Sequence, residues 1–180
     1  MHRWTAAAAV IALFGTAAIA GPPKEGSPAP DINLPATQAE KVLPDAKGTL
    51  KLSDLKGKKN VVLYFYPKAM TSGCTIESCG FRDLADKFAA LDTVVIGIST
   101  DTLDDQKKFT DKESLNFPLI ADSDKSATKA YGALNARNMA SRYTFVIDKQ
   151  GVIRKEYLQV NPKNHPQEVL NYVKENLTKG

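Results

Sequence analysis

Asn60-Val61-Val62-Leu63-Tyr64-Phe65-Tyr66 is apolar without interruption after its first residue, and it is dense in β-branched and aromatic side chains. A strand with one face in water alternates polar and apolar residues. A run that does not alternate reads as a strand buried on both faces, which requires covering layers on either side of a sheet. Pro67 stops the run, and a helical pattern follows from near Gly73, with Phe81, Leu84, Phe88 and Leu91 on one side.

The remaining segments repeat this alternation of strand and helix. Val94 to Ile98 is a second buried-strand candidate. A helix opened by Asp101 and Asp104 follows, with Leu103, Phe109 and Leu115 for its inner face. Phe117 to Ile120 reads as a short strand and Ser126 to Tyr131 as a short helix ended by Gly132. Arg142 to Ile147 and Val152 to Tyr157 form a hairpin across the turn Asp148 to Gly151, and His165 to Leu177 is a closing helix. Ahead of the buried run, Asp31 to Leu34 and Thr49 to Leu52 suggest two short strands, and Ser53 to Gly57 a single turn closed by Gly57. This order predicts an α/β fold with a central mixed β-sheet flanked by helices, and a thioredoxin-like fold fits it.

The first twenty residues have a different layout. Met1-His2-Arg3 is a short basic start, Trp4 to Phe14 is apolar but for Thr5, and Ala18-Ile19-Ala20 offers small residues where an export peptidase cuts. The apolar stretch is shorter than the ~20 residues a membrane span needs. The expectation is a signal peptide over 1–20 and one domain over 21–180, exported, periplasmic in a Gram-negative source and otherwise secreted, without stable membrane association after cleavage. Net charge is +4, with the Lys and Arg residues dispersed rather than in blocks, so the charge gives no argument for nucleic acid.

The chain has two cysteines, Cys74 and Cys79, with four residues between them. Export permits a structural disulfide, although so short a loop would constrain little of the unfolded chain. Zinc is poorly served, since beyond the leader only His165 is available and it lies far away in sequence. Redox chemistry remains. Cys74 falls in the opening turn of the helix after Pro67, where unpaired backbone N–H groups and the positive end of the helix dipole favour a thiolate. Thr71, three residues earlier, can cap the helix or donate to the sulfur, and Ser72 and Gly73 are small enough to let another molecule approach. In a regular helix Cys79 lies about 7.5 Å further along and roughly 140° around from Cys74. Their Cα atoms are then roughly 8.7 Å apart, beyond the ~7 Å a disulfide tolerates. A bond between them needs the first turns to unwind, as a catalytic step could but a permanent staple would not.

The pattern Pro67-x-x-x-Thr71-x-x-Cys74 resembles the active-site signature of peroxiredoxins. The longer run from Tyr64 through Gly73-Cys74-Thr75-x-Glu77-x-Cys79-Gly80-Phe81-Arg82-Asp83 is similar to the bacterioferritin-comigratory or peroxiredoxin Q group of the AhpC/TSA superfamily. Gly26 to Asp31, Gly97 to Asp101, Phe117 to Asp122 and Thr144 to Asp148 extend the likeness over nearly all of 26–178. The resemblance implies a peroxidatic Cys74, a resolving Cys79 in the same helix, a Thr71 that hydrogen-bonds sulfur and peroxide, and a Pro67 that shapes and shields the pocket. It also implies that Arg142 supplies the cation. It further implies a thiol peroxidase acting on hydrogen peroxide and organic hydroperoxides, a monomer recycled by thioredoxin or a thioredoxin-like dithiol, and no metal, haem or flavin.

Two other readings stay open at this stage. A general thiol–disulfide oxidoreductase would be expected to carry C-x-x-C, and a non-catalytic domain would hold a stable bridge. Among the neighbours, Tyr64, Phe65 and Tyr66 read as core, and Glu77 as a first-turn carboxylate with a secondary role in ordering Arg142. His165 reads as a surface residue at a helix start without a partner. Arg137 is close enough in sequence to compete with Arg142 for the cation's role.

Overall fold

In the computed structural model, residues 21–177 are described. The expected leader and the last three residues lie outside them. The described elements are β1 (Asn33–Pro35), β2 (Thr49–Lys51), β3 (Asn60–Phe65), α1 (Ser72–Ala89), β4 (Thr93–Ser99) and α2 (Leu103–Glu113). β5 (Leu119–Ala121), α3 (Ser126–Ala130), β6 (Thr144–Ile147), β7 (Ile153–Tyr157) and α4 (His165–Asn176) complete the order.

The long apolar run becomes the middle strand of a five-stranded sheet ordered β5-β4-β3-β6-β7. β3 pairs parallel with β4 and antiparallel with β6, so the sheet is mixed. Every residue of β3 is buried because both of its faces are covered. Val61, Leu63 and Phe65 point to a layer that includes Leu50, Leu55, Tyr131 and Phe145. Val62, Tyr64 and then Tyr66 point to the opposite layer, with Phe81, Phe88, Phe109 and Val169 from α1, α2 and α4. The fold class is therefore as the sequence predicts, with helices on the flanks of a mixed sheet.

Several boundaries move. The two early strands pair with each other as a separate ribbon, Leu34 opposite Leu50, rather than joining the main sheet. Arg142 precedes β6 instead of opening it, and the strand expected from Phe117 begins at Leu119. α2 buries Gln106, Phe109 and Thr110, while Leu103 stays half-buried. The inner face of this helix is thus more polar than its apolar spacing suggests. α1 and α4 cross closely at Gly80, where a Cβ would lie 2.8 Å from Cγ of Pro166. Only glycine permits that approach.

Candidate active site

Where β3 ends, Tyr66 still donates its backbone N–H to Ile98 at 3.0 Å. The half-buried Pro67 then turns the chain away from the sheet. The loop that follows is fixed from beneath. Ala69 N–H donates to Asp101 Oδ2 at 2.8 Å, and Ser99 Oγ donates to the same oxygen at 2.7 Å. Gln106 Nε2 donates to Ser99 Oγ and to the Ile120 carbonyl, both at 2.9 Å, and Tyr66 donates its hydroxyl to Gln106 Oε1. Met70 takes φ of 62°, a left-handed conformation uncommon for a residue with a side chain. It makes the sharp corner from which α1 starts.

Thr71 is the N-cap of α1 by backbone, its carbonyl accepting from Thr75 N–H at 2.8 Å. Its side chain neither caps the helix nor reaches the sulfur, as the sequence had suggested. The hydroxyl instead donates to the Lys68 carbonyl at 2.9 Å, a neighbour brought within reach by the turn at Met70. Cys74 follows in the first turns of the helix, only 1% exposed.

Arg142 comes to this sulfur out of the segment leading into β6, the neighbouring strand, which pairs with β3. Its Nη2 donates to Cys74 Sγ at 3.3 Å, and its Nη1 donates to Glu77 Oε2. Glu77, one turn along α1 from Cys74, is fully buried. Burial pushes its carboxyl up to about 7, with the Arg142 charge and hydrogen bond working against that rise. From the sequence, Glu77 has only a secondary part in ordering Arg142. The structure makes it the group that fixes the guanidinium. Arg137 is exposed and sits at the tip of a tight excursion between Asn135 and Met139, so Arg142 and not Arg137 reaches the sulfur.

His165 corrects a further expectation. It does open α4, but it is fully buried, and its Nε2 shares a 2.8 Å hydrogen bond with Thr144 Oγ1. Edge-on contacts with Phe81 and Tyr157 enclose the ring. Burial, with the nearby Arg142 charge adding to it, lowers its pKa to about 4. The imidazole is therefore neutral at neutral pH and ties α4 to the strand that follows Arg142. Tyr64 and Tyr66 are core residues as expected. Tyr64 also bonds Ser78 Oγ at 2.8 Å, which joins β3 to α1.

Cys79 lies in the same helix in other surroundings. It is half-buried, and its thiol donates to Glu113 Oε2 at the end of α2, 3.7 Å away. Burial pushes this thiol up; Arg82 opposes the shift, and Glu113 and Asp83 add to it. Both cysteines are free and α1 is continuous from Ser72 to Ala89, so the pair is divided by the intact helix.

Taken together, a buried sulfur under a guanidinium, with the guanidinium braced by a buried carboxylate, can stabilise a thiolate and negative charge developing on an oxygen beside it. The profile of the AhpC/TSA family matches residues 26–156. Peroxiredoxin Bcp of Bacillus subtilis (strain 168) is 41% identical over 157 residues, covering 83% of this chain and 94% of that protein. Peroxiredoxin Bcp of Escherichia coli (strain K12) is 36% identical over 161 residues, covering 86% and 97%. Among solved structures, the peroxidoxin BcpB of Mycobacterium tuberculosis superposes with a TM-score of 0.74 at 31% identity, over 85% of this chain and 97% of that one. A cysteine-to-serine mutant of PrxQ from Xylella fastidiosa gives 0.74 at 28% identity, over 84% and 96%.

Proposed function

The chain belongs to the AhpC/TSA family and is a peroxiredoxin, a thiol peroxidase, and from that premise we propose that Cys74 is its peroxidatic cysteine and Cys79 its resolving one. The observation that carries the assignment is the 3.3 Å contact of Arg142 Nη2 with Cys74 Sγ, braced by Glu77.

In the first step the Cys74 thiolate attacks the terminal oxygen of a hydroperoxide. The S–O bond forms as the O–O bond breaks, the departing oxygen takes a proton and leaves as water or an alcohol, and a sulfenic acid remains. Arg142 and the N–H groups of the first turn of α1 stabilise the charge spreading over the two oxygens. Thr71 hydrogen-bonds the peroxide once its hydroxyl rotates away from the Lys68 carbonyl, and Pro67 keeps solvent from the sulfur. Local unwinding of α1 then brings Cys79 to the oxidised sulfur. The Cys79 thiol loses its proton, the S–S bond forms, and the hydroxyl of the sulfenic acid leaves as water. Two-electron reduction by thioredoxin or a thioredoxin-like dithiol returns both thiols. The intact helix between two free cysteines supports this cycle over a permanent staple, because closing the bond demands a rearrangement that a static bridge would not use.

The substrates proposed are hydrogen peroxide and organic hydroperoxides, and the working form a monomer. Export by the N-terminal signal places the enzyme in the periplasm of a Gram-negative source or outside the cell otherwise. Cleavage after Ala20 would be read as an intact mass beginning at Gly21.

The test is rapid mixing of the pre-reduced protein lacking residues 1–20 with a small excess of hydrogen peroxide, followed by acid quench and mass spectrometry. The one tryptophan, Trp4, belongs to the leader, so chemical quench replaces tryptophan fluorescence as the readout. Wild type should reach a Cys74–Cys79 disulfide, Cys79→Ser should stop at a sulfenic acid, and Cys74→Ser should be inert. Oxidation of wild type no faster than a free thiol would overturn the assignment.

A further inference from the structure

An acidic side chain in the last turn of a helix opposes the helix dipole. Glu113 is the final residue of α2, followed by Ser114 in a left-handed C-cap conformation, and it ends the helix beside Lys112, the kind of residue expected there. Its position is held firmly nonetheless. Arg82 of α1 donates Nη1 to the Glu113 carbonyl at 2.6 Å, and Asn116, just past α2, donates Nδ2 to the Arg82 carbonyl at 3.3 Å. The Glu113 side chain is only 18% exposed, with one oxygen toward Lys112 at 4.0 Å and the other accepting from Cys79 Sγ. A local rule is broken at the one place where α2 meets a redox cysteine, which is where a functional reason is to be sought.

We propose that Glu113 is a positioning residue for the second half of the reaction: its carboxylate holds the Cys79 thiol docked against the end of α2, and protonated, until Cys74 has been oxidised. The proposal rests on the assignment of Cys79 as the resolving cysteine. Cys79 cannot attack while it stays on this side of the helix, because the sulfenic sulfur lies roughly 140° around the axis. Leaving requires the S–H···O contact to break, and attack requires the thiol to lose its proton. A carboxylate beside the sulfur opposes that loss. The charged groups facing Cys79 are Arg82 and Asp83 from α1 and Glu113 from α2, with Lys112 behind Glu113. Arg82 is already engaged by Asp83 at 2.8 Å and by the Glu113 carbonyl, so Glu113 presents the charge in direct contact with the thiol. The arrangement keeps Cys79 from competing for peroxide.

The experiment compares wild type with Glu113→Gln in the same quench assay across a range of pH. The glutamine keeps the shape and leaves the backbone carbonyl to Arg82, but removes the charge. The first phase, loss of the Cys74 thiol, should run at the wild-type rate. The second phase, disulfide formation, should be about three- to tenfold faster at neutral pH, with its pH profile displaced to lower pH, as a larger thiolate fraction requires. Glu113→Asp, which restores a carboxylate, should return the profile toward that of wild type and serves if the glutamine variant does not fold. A second phase unchanged at every pH would overturn the proposal. A slower one would also do so, since it would make Glu113 a proton acceptor rather than a restraint. Failure of the first phase in wild type would instead strike the peroxidase assignment itself.

Discussion

Cys74 and Cys79 sit on one helix, five residues apart, in different surroundings. The first is sealed from water with a guanidinium on its sulfur, while the second is half-open to solvent with a carboxylate on its thiol. The same functional group is thereby given two chemistries. A cation beside a sulfur lowers the cost of a thiolate and an anion raises it, and the order of events proposed above, Cys74 before Cys79, accords with the two contacts. The two direct contacts come from outside the helix. Arg142 arrives from the segment before β6 and Glu113 from the end of α2, so tertiary structure makes the two surroundings differ.

The comparison breaks most completely if the cation is taken away. Arg142→Met should slow oxidation of Cys74 by about 10²- to 10³-fold, the usual loss for a donor aimed at developing charge, and bring the two cysteines to similar reactivity toward peroxide. Competitive alkylation of the two thiols followed by peptide mass spectrometry reads that convergence directly.

A second test acts through the buried groups around Arg142. Glu77 has a folded pKa raised from 4.5 to about 7, so the folded state holds a proton the unfolded state has released, and stability falls as pH rises through that interval. His165 has a folded pKa lowered from 6.5 to about 4, so here the unfolded state binds the extra proton, and stability rises with pH between those values. The two slopes oppose each other from about pH 4.5 to 6.5, each worth roughly 1.4 kcal/mol per pH unit at most. Relative to wild type, Glu77→Gln should therefore gain stability as pH rises across the interval, and His165→Gln should lose it. Urea midpoints measured against pH would show whether the difference curves tilt in opposite directions.

Smaller effects sharpen the contrast. A Cβ at Gly73 would stand 3.4 Å from Arg142 Nη2, so Gly73→Ala should displace the guanidinium slightly. The expected cost is about three- to tenfold in the oxidation of Cys74, with disulfide formation from the sulfenic acid little changed. Met70→Gly should relieve the left-handed backbone and stabilise the fold by up to about 1 kcal/mol, seen as a higher urea midpoint. A loss instead would mean that the Met70 side chain, 40% exposed, contributes packing that outweighs its strain.

The sequence made the fold legible through β3, since an unbroken apolar run has few places to go other than the middle of a covered sheet. Cys74 could be placed because a proline stop, a threonine and a cysteine at the head of an amphipathic helix form a local pattern. Glu77, Gln106 and His165 were harder to read for a common reason. Each is a polar residue whose burial depends on a partner distant in the chain, respectively Arg142, Tyr66 and Thr144. Periodicity still held a trace of one of them: Gln106 stands three residues before Phe109, on the inner face of α2, where a solvated glutamine would not be expected. The Thr71 hydroxyl was misplaced because its partner depends on the corner at Met70, and that left-handed turn carries no glycine to announce it.

The crossing of α1 over Pro166 at Gly80 also bears on how far the helix can open. Gly80 adjoins Cys79 on its C-terminal side, and beyond it Phe81 and Phe88 remain anchored in the core. In the proposed cycle, unwinding that begins at Ser72 would thus meet a clamp immediately after Cys79. The unwound segment would be kept to the stretch between the two sulfurs and its approach. Each residue freed returns roughly 1–2 kcal/mol of backbone conformational entropy, offsetting part of the hydrogen bonding lost. The rest of the domain would keep its order, and re-reduction would need only to rewind a few residues onto a template already in place.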